Sequence, residues 1–376
     1  MTARVEAGTA TGTVRVRPLR AIDAATEERW WDLAARAVEP NPFAAPGAAL
    51  AAARHLPDGG DALLLSVAHG DALTFALPVV RTRAAAHVPL TVLTAWQGYF
   101  PPLATPLLDP AHAADAWRAV RAALGRTIPQ AAWLLLGPMP TTGPVATALA
   151  RASGRAPRVL DAAERAMAYR DGDRVRPSEK TRRSLESRRR KLGRMAGADA
   201  ETFRVAPGQP VPDGFVDDFL ALEASGWKGR EGTALACRAD TAAFFRDLVR
   251  AHAARGGVEI VGIRCGDRLV TATVNLVSGP GLFFYKTAYD EELHRSSPGR
   301  LLLSDNLDAF TANEALGFVD SCADPGASLP NQVLHDRRTV GTVLVPASRG
   351  PAAAAAGAAL LARTARRRLR RVRGRT

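Results

Sequence analysis

The 376-residue chain has few cysteines and almost no lysine, and each shortage excludes something. Only Cys237, Cys265 and Cys322 occur, with no CxxC pair. An odd, dispersed count argues against a disulfide framework or a structural zinc site and fits a reducing compartment. No metal is expected. No apolar run reaches the roughly 18 residues that a membrane span requires, and the Ala-rich segment from Ala352 to Ala362 is too short for one. Met1 to Val16 carry Glu6 and no apolar core, so no signal peptide is expected there. These absences predict a cytoplasmic protein, at most peripheral to the inner membrane face. Lysine occurs at four positions, 180, 191, 228 and 286, among 50 basic residues. Arginine was available everywhere, so a compact ammonium is a candidate requirement where lysine stands.

Hydrophobic residues make up 47% of the chain and charged residues 23%, which is the composition of a folded protein long enough for two domains. The net charge of +13 is unevenly spread. The stretch from Arg174 to Arg194 carries +8, and the tail from Arg363 to Thr376 carries another +8, leaving −3 for the rest. A near-neutral body with one basic helix and one basic tail can meet an anionic membrane surface, a nucleotide phosphate or tRNA. Neither basic run is interleaved with aromatics, so base stacking has no support.

Two segments read as the same unit. Ala62 to Ala68 and Leu73 to Val80 are apolar runs joined by His69-Gly70-Asp71-Ala72, and Val258 to Arg264 and Leu269 to Val277 are joined by Cys265-Gly266-Asp267-Arg268. Each predicts a β-hairpin with Gly-Asp at the turn. Two helical patterns precede each hairpin: Glu27 to Ala37 and Gly47 to Arg54, then Phe215 to Ser225 and Thr241 to Arg255. A third strand, a helix and a further strand follow each, so the order β-α-α-β-β-β-α-β occurs twice, an internal duplication. The expected organisation is a disordered N-terminus (1–13), a first α/β domain (14–169), a basic linker helix (170–200), a second α/β domain (201–346) and an Ala/Arg-rich tail (347–376).

The strand-to-helix junction at Phe283 to Leu303 is the best candidate for binding an anion. Ser296, Ser297, Pro298, Gly299 and Arg300 are expected to form a loop that opens a helix at Leu301. Backbone N–H groups and the positive helix end would face a pyrophosphate there. The matching place in the first half, Trp96 to Pro102, has no basic residue. A plain strand-to-helix turn is the competing reading.

Several short motifs in the second half carry a family resemblance. Gly226-Trp227-Lys228 with Gly232-Thr233-Ala234-Leu235, Tyr285-Lys286-Thr287-Ala288-Tyr289-Asp290 with Ser297-Pro298-Gly299, and Asp320-Ser321-Cys322-Ala323-Asp324-Pro325 with Arg337-Arg338 follow one another in order. Together they resemble the GNAT-fold acetyltransferases of the CelD/BcsL type, associated with cellulose and exopolysaccharide synthesis. The resemblance covers about residues 170–346 and extends loosely to the first half. It implies tandem GNAT-like domains, each a mixed, mostly antiparallel sheet flanked by helices. It also implies acyl transfer from acyl-CoA, such as acetyl-CoA, to an amine or hydroxyl of a small molecule or envelope-glycan precursor. After Pro325 the chain reads Gly-Ala-Ser-Leu-Pro-Asn where one branch of the family has His-Pro-Met, so a different acceptor or a reduced activity is expected.

Direct transfer needs a base, donors for the thioester oxyanion and an acid for the thiolate. Asp290 and Asp320 are the candidate bases, Tyr285 or Tyr289 the candidate acids, and Lys228 and Lys286 the candidate catalytic ammonium groups. Trp227, Tyr289, Cys322, Asp324 and Arg337 are expected to contact the acceptor. Plainer roles compete: Asp290 as a turn cap, Asp320 paired with Arg337 or Arg338, Tyr285 in the core, Cys322 a small buried hydrophobe rather than an acyl-carrying thiol. Two other functions stand beside the first. One is a FemAB-like ligase taking its aminoacyl group from tRNA, and the other is a non-catalytic accessory protein at a membrane or polymer.

Overall fold

The structure is a computed structural model that describes residues 5–9, 11–85, 88–96, 98, 102–127, 131–154, 156–172 and 178–346, with four residues near the C-terminus (354, 357, 358 and 360). The Arg-rich tail, residues 174–177, and most of the Trp96 to Pro102 segment lie outside the described residues. In chain order the elements begin β1 (Val5–Thr9), β2 (Gly12–Pro18), α1 (Ala24–Arg36), α2 (Pro46–His55), β3 (Leu63–His69), β4 (Ala72–Ala85), β5 (Val88–Ala95) and β6 (Leu107–Leu108). They continue α3 (Ala113–Thr127), β7 (Ala131–Pro140), α4 (Pro144–Ser153), β8 (Arg158–Tyr169), α5 (Glu179–Ala196), β9 (Ala200–Val205), α6 (Phe215–Ser225), α7 (Trp227–Arg230) and α8 (Ala239–Ala253). Last come β10 (Val258–Cys265), β11 (Arg268–Ser278), β12 (Gly281–Tyr289), α9 (Pro298–Ala312), β13 (Phe318–Asp320), α10 (Ser328–Val333) and β14 (Asp336–Pro346).

Residues 1–164 and 339–376 form one compact unit and residues 165–338 the other. The partition falls inside β8 and again inside β14, so each unit takes in chain from both sides of a simple midpoint. Residues 340–346 accordingly pair with β7 in the first unit, although they stand at the end of the second half in sequence. Residues 5–9, expected to be disordered, pair antiparallel with β2, because alternating Val14 and Val16 give that hairpin a buried face.

In the first unit the strands run in the order β1-β2-β3-β4-β5-β7-β14, parallel only between β5 and β7. Helix α3 lays Trp117 against Phe75 of β4, ring centroids 5.1 Å apart, at the centre of the core. The second unit orders its strands β8-β13-β12-β11-β10-β9, parallel only between β12 and β13. Its core holds a run of rings, Phe203, Phe215, Phe219, Phe245 and Tyr285, each 5.5–6.4 Å from the next. These units are two mixed α/β sheets flanked by helices, as the duplication implies.

The repeat extends to irregularities. Gly70 and Gly266 sit at the two hairpin turns with the same φ of +57°, a conformation in which a Cβ is strained. Four residues after each glycine, Thr74 and Val270 are skipped in the ladder, so both hairpins bulge at the same place.

Candidate active site

The two units differ where chemistry would occur. In the first, β5 pairs with β7 from Thr91 to Thr94 and leaves only Ala95 beyond. In the second, β12 pairs with β13 only from Gly281 to Phe283, then continues for six residues to Tyr289 with no strand on that side among the described residues. The open edge of 284–289 therefore presents backbone N–H and C=O groups that no ladder consumes, of which Thr287 O is taken by Lys228 and the others seek a partner. On its other edge, Lys286 pairs with Val274 and Phe284 with Asn275, so Tyr285 is an extra residue, a bulge at the start of the open edge. Bulges of this kind re-aim side chains next to active sites.

Helix α9 follows that edge. It begins at Pro298, three residues before the expected Leu301, so Pro298, Gly299 and Arg300 form its first turn rather than a loop. Proline is favoured there because a first-turn N–H has no intrahelical partner to lose. Ser297 is the N-cap, with φ +57° and ψ +57°, a strained conformation for a serine. Its Oγ accepts from Arg188 of α5 at 2.6 Å. Ser296 is buried and bonded to Leu293 O, which makes it structural. A Cβ at Gly299 would meet Leu329 at 3.6 Å, an ordinary van der Waals contact. Below it, buried Asn306 donates to Thr273 Oγ1 and accepts from Asn275, fastening α9 to the sheet.

Only Leu192 and Gly193 of the basic helix α5 are buried. Three of its cations point to the junction elements: Arg188 to Ser297, Arg189 to Asp305 at 2.6 Å, and Lys191 to Arg295 O at 3.0 Å. The sequence offers the whole basic stretch to a nucleotide phosphate but does not single out Arg188, since 109 residues separate it from Ser297 and nothing in a run of arginines marks one of them.

The Gly-Trp-Lys and Tyr-Lys motifs, far apart in sequence, meet at β12. Lys228 Nζ donates to Thr287 O on β12 and to Glu223 Oε1 on α6, both at 2.9 Å. Trp227 N donates to Glu291 Oε1 at 2.6 Å, and Arg230 meets the other oxygen at 2.6 Å. The neighbouring Arg230 holds the Glu291 carboxyl below its usual range. Gly229 is required because a Cβ there would collide with Ala224 O. Glu223 is 4% exposed, and its second oxygen accepts from Leu235 N at 2.9 Å, closing the Gly-Thr-Ala-Leu loop. The sequence held one signal for it: Glu223 lies four residues after Phe219, on the apolar stripe of α6, where a carboxylate must find partners.

Lys286 is partly buried beside this cluster, its Nζ 5.6 Å from the Tyr285 ring centroid. Burial pulls its pKa down to about 8, with Glu223 opposing the shift and Lys228 adding to it. Tyr285 is buried against Phe245 and Tyr289 is half-buried at the strand end. Trp227 is 43% exposed.

The remaining expected residues lie elsewhere in the unit. Asp290 caps the turn that follows β12, accepting from Glu292 N at 3.0 Å, and pairs with Arg268. Asp320 is fully buried between Arg165 and Arg338, each 3.6 Å away, and accepts from Cys322 N. Cys322 stands past the strand end with φ +52°, and burial, followed by the nearby Asp320, pushes its thiol pKa well up. Arg337 donates to Leu334 O and Asn331 O at the end of α10, and Asp324 is exposed. Among the described residues no cluster of His, Cys, Asp or Glu could hold a metal ion, and no helix is long and apolar enough to cross a membrane.

An open parallel edge, a bulge and a helix start beside Arg188 occur together in the second unit. Residues 179–327 match the acetyltransferase (GNAT) domain family. That stretch, within the second unit, is similar to a GNAT-type acyltransferase domain. Among solved structures, FemX is similar at 10% identity with a TM-score of 0.52, over 85% of this chain and 96% of that one. A protein of unknown function from Bacteroides thetaiotaomicron VPI-5482 is similar at 11% identity and a TM-score of 0.50, over 86% and 98%. A tandem GNAT protein from the clavulanic acid biosynthesis pathway matches at 19% identity and a TM-score of 0.40, over 90% and 100%. No curated protein matches in sequence. The structural likenesses, at these identities, speak to the fold alone.

Proposed function

We propose that the second unit transfers an acyl group from a CoA thioester to an amine or hydroxyl, with an envelope-glycan precursor as the acceptor class. The observation that carries this reading is the unpaired six-residue edge of β12 running into the first turn of α9. An extended pantetheine arm, rich in amides, is the kind of ligand that completes a free strand edge. The pyrophosphate would lie at Gly299 and Arg300, with Arg188 adding a guanidinium and Ser297 a hydroxyl.

In the proposed step the acceptor nitrogen or oxygen bonds to the thioester carbonyl carbon, the C–S bond breaks, and the acceptor proton passes to the Lys286 amine. Backbone N–H groups freed at the Tyr285 bulge receive the oxyanion, and Tyr285 or Tyr289 returns a proton to the departing thiolate. Lys286 suits the base role because part of it is uncharged near neutral pH. Asp290 and Asp320 are left out of the step, since Asp290 is paired with Arg268 and Asp320 is fully buried between the charges of Arg165 and Arg338. Lys228, tied to Glu223 and Thr287, positions the wall on which Trp227 meets the acceptor.

Calorimetric titration of the full chain with CoA tests the assignment: saturable binding that Gly299→Glu abolishes is the expected result. Unchanged affinity in that variant would remove the junction from the donor site. A second reading, aminoacyl transfer from tRNA, draws on the exposed Lys180, Arg183, Arg190 and Arg194 of α5. Transfer that disappears on RNase treatment would favour it over a free CoA thioester.

A further inference from the structure

The first unit holds a cavity unrelated to the site above. It has a volume of about 170 Å³ and lies among the end of β14 (Leu344), β7 (Trp133), α3 (Arg121) and α4 with the segment after it (Leu149, Ser153, Arg158). Its walls are apolar, and both charged residues that line it are arginines, with no acid among the lining. Arg121 is fixed in place by a 2.5 Å bond from Nη1 to Ala152 O. Arg158 stands exposed at the start of β8 and forms no ion pair with any described residue. Leu149 is 1% exposed and Leu344 2%, so the walls belong to the packed core and keep their shape.

Volume and charge together restrict the ligand. A cavity of about 150 Å³ holds a benzene ring, so a six-membered ring or a short branched chain fits this one. A planar guanidinium at the rim offers two parallel N–H donors, the geometry that matches a carboxylate. We infer that the first unit binds a small monocarboxylic acid with a ring-sized apolar body, seated beside Trp133 with its carboxylate on Arg158. This gives the first unit a ligand of its own, independent of whether the second unit uses CoA.

The test is fluorine NMR of the full chain titrated with 4-fluorobenzoate, beside a parallel titration with 4-fluorobenzyl alcohol. Saturable broadening by the acid is expected, and about tenfold or weaker binding of the alcohol, the scale of one charge-assisted contact. Arg158→Glu should weaken the acid by at least that factor, and Ser153→Phe, which fills the cavity from its rim, should abolish binding. Neither change should alter CoA affinity, so loss of this site is distinguishable from failure of the acyl-transfer reading. No saturable binding, equal binding of acid and alcohol, or binding that survives both substitutions in folded protein would overturn the inference.

Discussion

Lys228 and Glu223 stand five residues apart and join through a 2.9 Å bond whose other side faces Lys286 electrostatically. The pair carries charges of opposite sign, so removing either one moves the Lys286 titration in a predictable direction.

With Lys286 as the base, kcat/KM rises as pH passes about 8, where its ammonium loses a proton. Lys228→Met removes a repelling cation, raises the Lys286 pKa and moves the rising limb to higher pH. Glu223→Gln removes an attracting anion and moves the limb the opposite way. Lys286→Met should lower kcat by about 10²–10⁴ and leave CoA affinity intact. pH–rate profiles of the three variants check this, and limbs that stay in place would exclude Lys286.

Arg188→Ala deletes a charged hydrogen bond to the N-cap of α9. CoA affinity should fall by about tenfold or more, the scale of one charged contact, and the dependence on salt should weaken. Calorimetry at two ionic strengths measures both. Lys180→Ala, on the exposed side of the same helix, serves as the control and should change neither.

Asp320→Asn leaves Arg165 and Arg338 buried without their shared counter-charge. A loss of about 3–5 kcal/mol is expected for breaking a buried ionic cluster from one side, read as a lower urea midpoint. An unchanged midpoint would mean that the two guanidinium groups hold their places without the carboxylate.

His252 is fully buried on α8, and desolvation lowers its pKa to about 4. The unfolded chain binds that proton near pH 6.5, so the unfolded state holds more protons between about 4 and 6.5. Stability should therefore fall as pH drops through this window, by on the order of 3 kcal/mol in total. His252→Gln should flatten this acid limb in urea melts taken at several pH values.

Local order was legible in the sequence because it is written in neighbouring residues. Period-two apolar runs flanking Gly70 and Gly266 specify hairpins, and the 3.6-residue stripe of Phe215, Phe219 and Leu222 specifies α6 over the span at which it forms. Doubling of the pattern followed from the same signals, as did the motifs that led to Lys228, Lys286 and the junction. Tertiary structure alone decided what depends on partners distant in sequence: Glu223 closing a loop, Arg188 reaching Ser297, Arg165 and Arg338 bracketing Asp320. It also decided where β13 stops, which leaves one edge of β12 open. A strand's sequence sets its pleat and its faces, but whether its edge is covered depends on how far another strand runs alongside, and neither strand's own residues encode that length.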